Sequence, residues 1–168
     1  MNPNTRLSFT ALIVVLAFCG ICAVASLRAS AQTLSENNVV IVCEHGSVKS
    51  LIAASMFNRR AKERGLPFHA ISRGVNPDVT VPAPIAEALE RDGFNVSHFV
   101  PTLVTAEDFT TARRVVAIGV DLSAAAPAAA SLASRWDDVP PASVNYAAAR
   151  ASIEKHVELL LDELAAKL

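Results

Sequence analysis

Apolar residues follow two different patterns along the chain. From Leu7 to Leu27 (LSFTALIVVLAFCGICAVASL) no charged residue occurs, whereas beyond Gln32 apolar and polar positions alternate in short blocks. Val39-Val40-Ile41-Val42 is a run of β-branched residues, the composition of a strand buried on both faces of a parallel sheet. After Cys43 and a tight loop, Ser50–Arg64 (SLIAASMFNRRAKER) is rich in helix formers and meets Gly65 and then Pro67, which stop a helix. Phe68–Ser72 predicts a second strand, and the stretch from Arg73 to Val81, with Gly74 and Asn76-Pro77-Asp78, predicts a loop. Pro84–Asp92 predicts a helix closed by Gly93, while Phe94–Val100 follows neither period.

Thr105–Ala112 predicts a short helix with Thr105 as its cap and Asp108 closing the capping box, and Val115–Ile118 predicts a third strand. Ala124–Ala133, around Pro127, reads as a loose or partly helical connection, and Ser134–Trp136 as a last strand before the loop Asp137-Asp138-Val139-Pro140-Pro141. Ser143–Leu168 predicts a long terminal helix. Its apolar face is Ile153, Val157, Leu160, Leu161, Leu164 and Leu168, with Glu154, Lys155, Glu158, Asp162 and Glu163 opposite. Strands alternating with helices predict an α/β fold: three layers, with a small, about four-stranded parallel sheet carrying helices on both faces. Ligands of such sheets sit at the carboxyl ends of the strands, where Cys43 falls.

Composition adds a destination. The chain has 168 residues, 52% of them apolar, and its mean hydropathy is +0.36, an excess that sits in residues 7–27. Arg6 and Arg28 flank that stretch, and Ala29-Ser30-Ala31 precedes Gln32, the pattern of a secretory signal cut after Ala31. Residues 1–31 are therefore expected to be a signal peptide and 32–168 the single folded domain, periplasmic or secreted. The alternative is an uncleaved anchor facing away from the cytoplasm, since about 20 apolar residues also span a bilayer; membrane contact is expected only by that route. Without Arg6 and Arg28, 13 basic residues stand against 16 acidic ones, unclustered, which argues against nucleic acid as a partner.

Cys19 and Cys22 leave with the signal, so Cys43 is the lone thiol of the remaining chain. His69, His98 and His156 lack metal-ligand spacing, so no metal and no cofactor is expected, and Trp136 is taken as a core residue. The loop between first strand and helix reads Cys43-Glu44-His45-Gly46-Ser47-Val48-Lys49-Ser50. Backbone N–H groups, the positive end of a helix dipole and a lysine converge there, as a tetrahedral oxyanion such as phosphate requires. The same field favours the thiolate form of Cys43, a nucleophile. Gly46 permits the left-handed backbone that folds such a loop, and the spacing does not fit a Walker A loop.

These residues resemble the Cys-x5-Arg-Ser/Thr loop of the low-molecular-weight protein tyrosine phosphatases and the related thioredoxin-coupled arsenate reductases. The resemblance extends through Ile71-Ser72-Arg73-Gly74, Leu89-Glu90-Arg91-Asp92-Gly93 with Val96-Ser97, and Leu103-Thr105-Glu107-Asp108, and so covers nearly all of residues 39–168. It implies that fold, Cys43 as the nucleophile that forms a cysteinyl-phosphate, Glu44 to Lys49 as the phosphate cradle, and Ser50 as hydroxyl donor to the thiolate.

The sequence departs from the family's pattern in three respects. Lys49 replaces the arginine, His45 and Gly46 stand where glycine and asparagine are usual, and Pro140-Pro141 occupies the place of the general acid's Asp-Pro. Asp137 and Asp138, just upstream, are the candidate acids. The expectation is slowed hydrolysis of phosphomonoesters, including phosphotyrosine in phosphoproteins. The alternative is an oxyanion-binding module for phosphate or arsenate without turnover, and a third reading is an arsenate reductase served by an external thiol.

Overall fold

The computed structural model describes residues 37–168, apart from residues 126, 131 and 132; the expected signal segment, residues 1–31, lies outside the described residues. Four strands form one parallel sheet in the order β2-β1-β3-β4, with β1 at Asn38–Cys43, β2 at His69–Gly74, β3 at Arg114–Ala117 and β4 at Ser134–Arg135. β1 lies between β2 and β3, in register from Asn38 opposite His69 to Cys43 opposite Gly74. That position explains its composition, because alternate side chains point into two cores. Val39, Ile41 and Cys43 face one core with Ile52, Met56, Phe57, Ile153 and Leu161. Val40 and Val42 face the other with Val104, Ala117, Val120 and Leu122.

The first core lies under three helices: α1 (Lys49–Glu63), α2 (Ala83–Arg91) and, after two shorter ones, the terminal helix Tyr146–Ala165. The second lies under α3 (Ala106–Thr111), whose Phe109 packs against it. α4 (Pro127–Ala130) is one turn of the alanine-rich connection, and Tyr146–Ala165 is α5. The expected three-layer arrangement is what the chain adopts.

Local chemistry sets the element ends. α1 closes with Gly65 at φ +64° and the bonds Leu66 N–H to Ala61 O and Gly65 N–H to Lys62 O, the Schellman pattern that a glycine allows. At α3 the Thr105 hydroxyl accepts from the Asp108 N–H while the Asp108 carboxylate accepts from the Thr105 N–H, as a capping box requires. The terminal helix begins at Tyr146 rather than Ser143, because the Asn145 side chain caps it by accepting from the Ala148 N–H at 3.0 Å. It ends before Leu168, which is exposed instead of completing the apolar face. Its polar face meets α1 through Arg60 with Glu154, half-buried, and Arg64 with Asp162, exposed, solvent-accessible pairs that each add little beside the burial of Phe57, Ile153 and Leu161.

Among the described residues no helix is long and apolar enough to cross a membrane. All four strands run the same way, so Cys43, Gly74 and the Ile118-Gly119 turn after β3 meet at one edge of the sheet.

Candidate active site

The loop from Glu44 to Val48 joins the end of β1 to the start of α1. Val48 caps α1 with no side-chain hydrogen bond, so the first N–H groups of the helix are left for a ligand or for the sulfur of Cys43. One of them is used: the Ser50 N–H donates to Cys43 Sγ at 3.4 Å, and the Ser50 hydroxyl lies 2.9 Å from the same sulfur. Ser50 Oγ is also 2.8 Å from Ser72 Oγ and 3.2 Å from the Arg73 carbonyl, and Ser72 Oγ reaches the Gly46 carbonyl at 2.8 Å. Each hydroxyl has a single proton. With the Ser72 proton on the Gly46 carbonyl, which can only accept, and the Ser50 proton turned to the sulfur, a thiolate at Cys43, buried to 2% exposure, gains two donors, the Ser50 hydroxyl and N–H.

The loop after β2 props this cradle from outside. Val75, Asn76 and Asp78 donate their N–H groups to the carbonyls of Cys43, Glu44 and His45, which commits the acceptor side of the loop away from the cleft. The contact is too close for side chains. Gly46 has φ +67°, and a Cβ there would come within 2.8 Å of the Gly74 nitrogen, just as one on Gly74 would come within 2.8 Å of Gly46 and His45 backbone atoms. Glycine is required on both sides.

Lys49, the first residue of α1, forms no ion pair among the described residues. Its ammonium lies against Gly119, where a Cβ would come within 2.7 Å of Nζ. Cys43, Glu44, His45, Val48 and Lys49 line a cleft of about 440 Å³, closed on the other sides by Asp78, Pro82, Pro141, Ala142 and Ser143. Glu44 and His45 are exposed and Ser47 is buried. Ser47 donates its hydroxyl to Asp78 Oδ2, and His45 Nδ1 is 3.3 Å from Asp78 Oδ1.

Neither candidate acid reaches the cleft. Asp137 is held by Arg135 of β4 through two bonds of 2.8 Å, and Asp138 by His156 of α5 at 2.7 Å and by the Ser152 hydroxyl. His156 is itself stacked on the buried Trp136, with ring centroids 4.9 Å apart. Its hydrogen bond holds the Asp138 carboxyl below the ordinary carboxylate range. Arg135 and His156 engage the two carboxylates, and the wall they precede presents Pro141, Ala142 and Ser143.

Sequence reading gave no role to Ser72, Gly74, Asp78 or Gly119. The available signal was a serine and a glycine ending the second strand and a glycine just past the third. Among the described residues no cluster of three or more metal-ligating side chains occurs, and Cys43 is the free thiol.

A thiol at the carboxyl edge of a four-stranded parallel sheet, with its sulfur held by the N–H and hydroxyl of Ser50 at the start of the next helix, beside a lysine with no ion pair among the described residues, defines a phosphatase-like α/β protein. The chain belongs to the low molecular weight phosphotyrosine protein phosphatase family, whose sequence model matches residues 38–136. The match stops at Trp136, before the segment that carries Pro140-Pro141. No curated protein matches the sequence significantly.

Solved structures are similar in fold. YfkJ from Bacillus subtilis superposes with a TM-score of 0.69 at 20% identity over 77% of this chain and 95% of its own. The low molecular weight protein tyrosine phosphatase from T. tengcongensis gives 0.66 at 21%, over 75% and 98%. The tyrosine phosphatase Wzb from Escherichia coli K30, in complex with sulphate, gives 0.63 at 14%, over 76% and 98%.

Proposed function

We propose that this protein is an exported phosphatase that hydrolyses phosphomonoesters slowly through a cysteinyl-phosphate on Cys43. The observation that carries this reading is the Ser50 hydroxyl and N–H, 2.9 Å and 3.4 Å from the Cys43 sulfur, in a cleft also lined by Lys49, which has no ion pair among the described residues. In the first step the sulfur attacks phosphorus. The S–P bond forms as the ester P–O bond breaks, and water then displaces the sulfur. The N–H groups of Glu44 to Lys49 take up the charge on the equatorial oxygens, a contribution of about 10²- to 10³-fold per oxyanion donor in comparable sites. Lys49 supplies a point charge where a guanidinium would clamp two oxygens, which lowers the expected rate.

Steady-state turnover of an aryl phosphate, with acid-quenched trapping of phosphate on Cys43, tests the reading. Cys43→Ser is expected to lower turnover at least ~10³-fold, and hydrolysis that survives this change would refute the mechanism. Phosphotyrosine in a phosphoprotein is the substrate class that the family description suggests.

Export rests on the uncharged stretch from Leu7 to Leu27 and on Ala29-Ser30-Ala31. A mature N-terminus at Gln32 in the periplasmic fraction is expected, and an intact chain recovered with membranes would favour the anchored alternative. A second reading, oxyanion binding without turnover, draws on Lys49 and on the absence of a carboxylate among Pro141, Ala142 and Ser143. Phosphate affinity without any turnover would select it. Arsenate reduction needs an external thiol, because Cys43 has no second cysteine beside it among the described residues.

A further inference from the structure

We propose that His45, oriented by Asp78, delivers the proton to the leaving oxygen in this site. The inference rests on the phosphatase reading and assigns a donor where the wall of Pro141, Ala142 and Ser143 offers none. Besides Cys43 and Lys49, three ionisable side chains line the cleft: Glu44, His45 and Asp78. Both oxygens of Asp78 are engaged, Oδ2 by the Ser47 hydroxyl and Oδ1 by His45 Nδ1 at 3.3 Å, and its backbone N–H donates to the His45 carbonyl at 3.1 Å. Asp78 therefore grips His45 at both main chain and ring, and is a positioning residue. Glu44 is exposed and makes no side-chain hydrogen bond among the described residues, so nothing aims it.

His45 is held by Asp78, and among the described residues its Nε2 has no partner. With the Asp78 carboxylate 3.3 Å from Nδ1, a ring that carries both protons keeps Nδ1–H beside that carboxylate and has Nε2–H to give to a substrate, and the ring, 51% exposed, lines the same cleft as the nucleophile two residues before it. As the Cys43 sulfur bonds to phosphorus, the ester P–O electron pair stays on the departing oxygen, which takes the Nε2 proton. In the second step the neutral ring removes a proton from water as its oxygen bonds to phosphorus, and the S–P pair returns to sulfur. The charged groups around the ring are Glu44, Cys43 and Lys49 of its own loop and Asp78 of the loop after β2; the wall from Pro141 to Ser143 contributes none.

Leaving-group dependence distinguishes a proton donor from a structural residue, because 4-nitrophenolate departs without help and phenolate does not. In the full chain, His45→Gln is expected to lower kcat/KM for phenyl phosphate by about 10²- to 10⁴-fold, with a far smaller loss for 4-nitrophenyl phosphate. Asp78→Asn is expected to shift both in the same direction by less. In His45→Gly, added imidazole is expected to restore turnover of the phenyl ester, and the basic limb of the wild-type kcat/KM profile against pH, where the donor loses its proton, is expected to disappear in both His45 variants. Equal losses on the two esters, no loss on either, or a failure of imidazole to rescue would overturn the assignment while leaving Cys43 as nucleophile. A wild-type protein inactive on both esters would instead remove the phosphatase reading itself, and this assignment with it.

Discussion

The wall of the cleft that begins at Cys43 and the wall that ends at Ser143 are built from different kinds of contact. The first is buried and cross-linked: Ser50 and Ser72 reach the sulfur and the Gly46 carbonyl, Gly46 and Gly74 touch backbone to backbone, and Asp78 ties down both His45 and Ser47. The second is a run of proline, alanine and serine whose nearest carboxylates, Asp137 and Asp138, are bound to Arg135 and His156. The difference separates two tasks. Holding a tetrahedral anion against a thiolate needs only the first wall, while protonating a leaving group calls on a side chain that the second wall does not supply. The family's sequence model covers the first wall and stops before the second.

Substitutions on either wall break or sharpen this contrast. The largest effect is expected from Gly74→Ala, whose Cβ would press within 2.8 Å of Gly46 and His45 backbone. A loss of about 1–3 kcal/mol in stability is expected, together with loss of phosphate binding, measured by denaturant melts and by titration calorimetry. Retention of both would mean that the cradle does not depend on the backbone contact.

Next is Pro140→Asp, which rebuilds an Asp-Pro pair on the second wall. In a His45→Gln background it is expected to raise phenyl phosphate turnover on the order of 10-fold or more; no gain would show that this wall cannot present an acid. Lys49→Arg is expected to raise kcat roughly 10-fold with little change in KM, because a guanidinium matches two transferring oxygens in the transition state. A change confined to KM would assign Lys49 to ground-state binding.

The smallest effect on turnover is expected from Asp138→Asn, at most about twofold, since its carboxylate serves His156 rather than the cleft. Its signature is in stability. The folded carboxyl titrates below its ordinary range, chiefly through the His156 hydrogen bond. The contribution is therefore present above the unfolded value of about 3.9 and lost as pH falls through the lower folded value. The melting temperatures of wild type and variant are expected to differ near neutrality and to converge in strong acid.

What the chain alone determined is what neighbours in sequence decide. Val39 to Val42 has the composition of a doubly buried strand, Gly65 stops α1, Thr105 and Asp108 cap α3, and the spacing from Cys43 to Lys49 and Ser50 places a thiol, a cation and a hydroxyl at one helix start. Tertiary structure decided which distant groups complete them. Ser72 reaches Gly46 across 26 residues and Asp78 reaches Ser47 across 31, through a parallel sheet that brings the ends of β1 and β2 together. Asp137 and Asp138 look free in sequence, and only the packing of β4 and α5 put Arg135 and His156 beside them. Helix and turn signals are legible because they act over a few bonds; partners across a sheet carry no local signature, since their meeting depends on strand order and register.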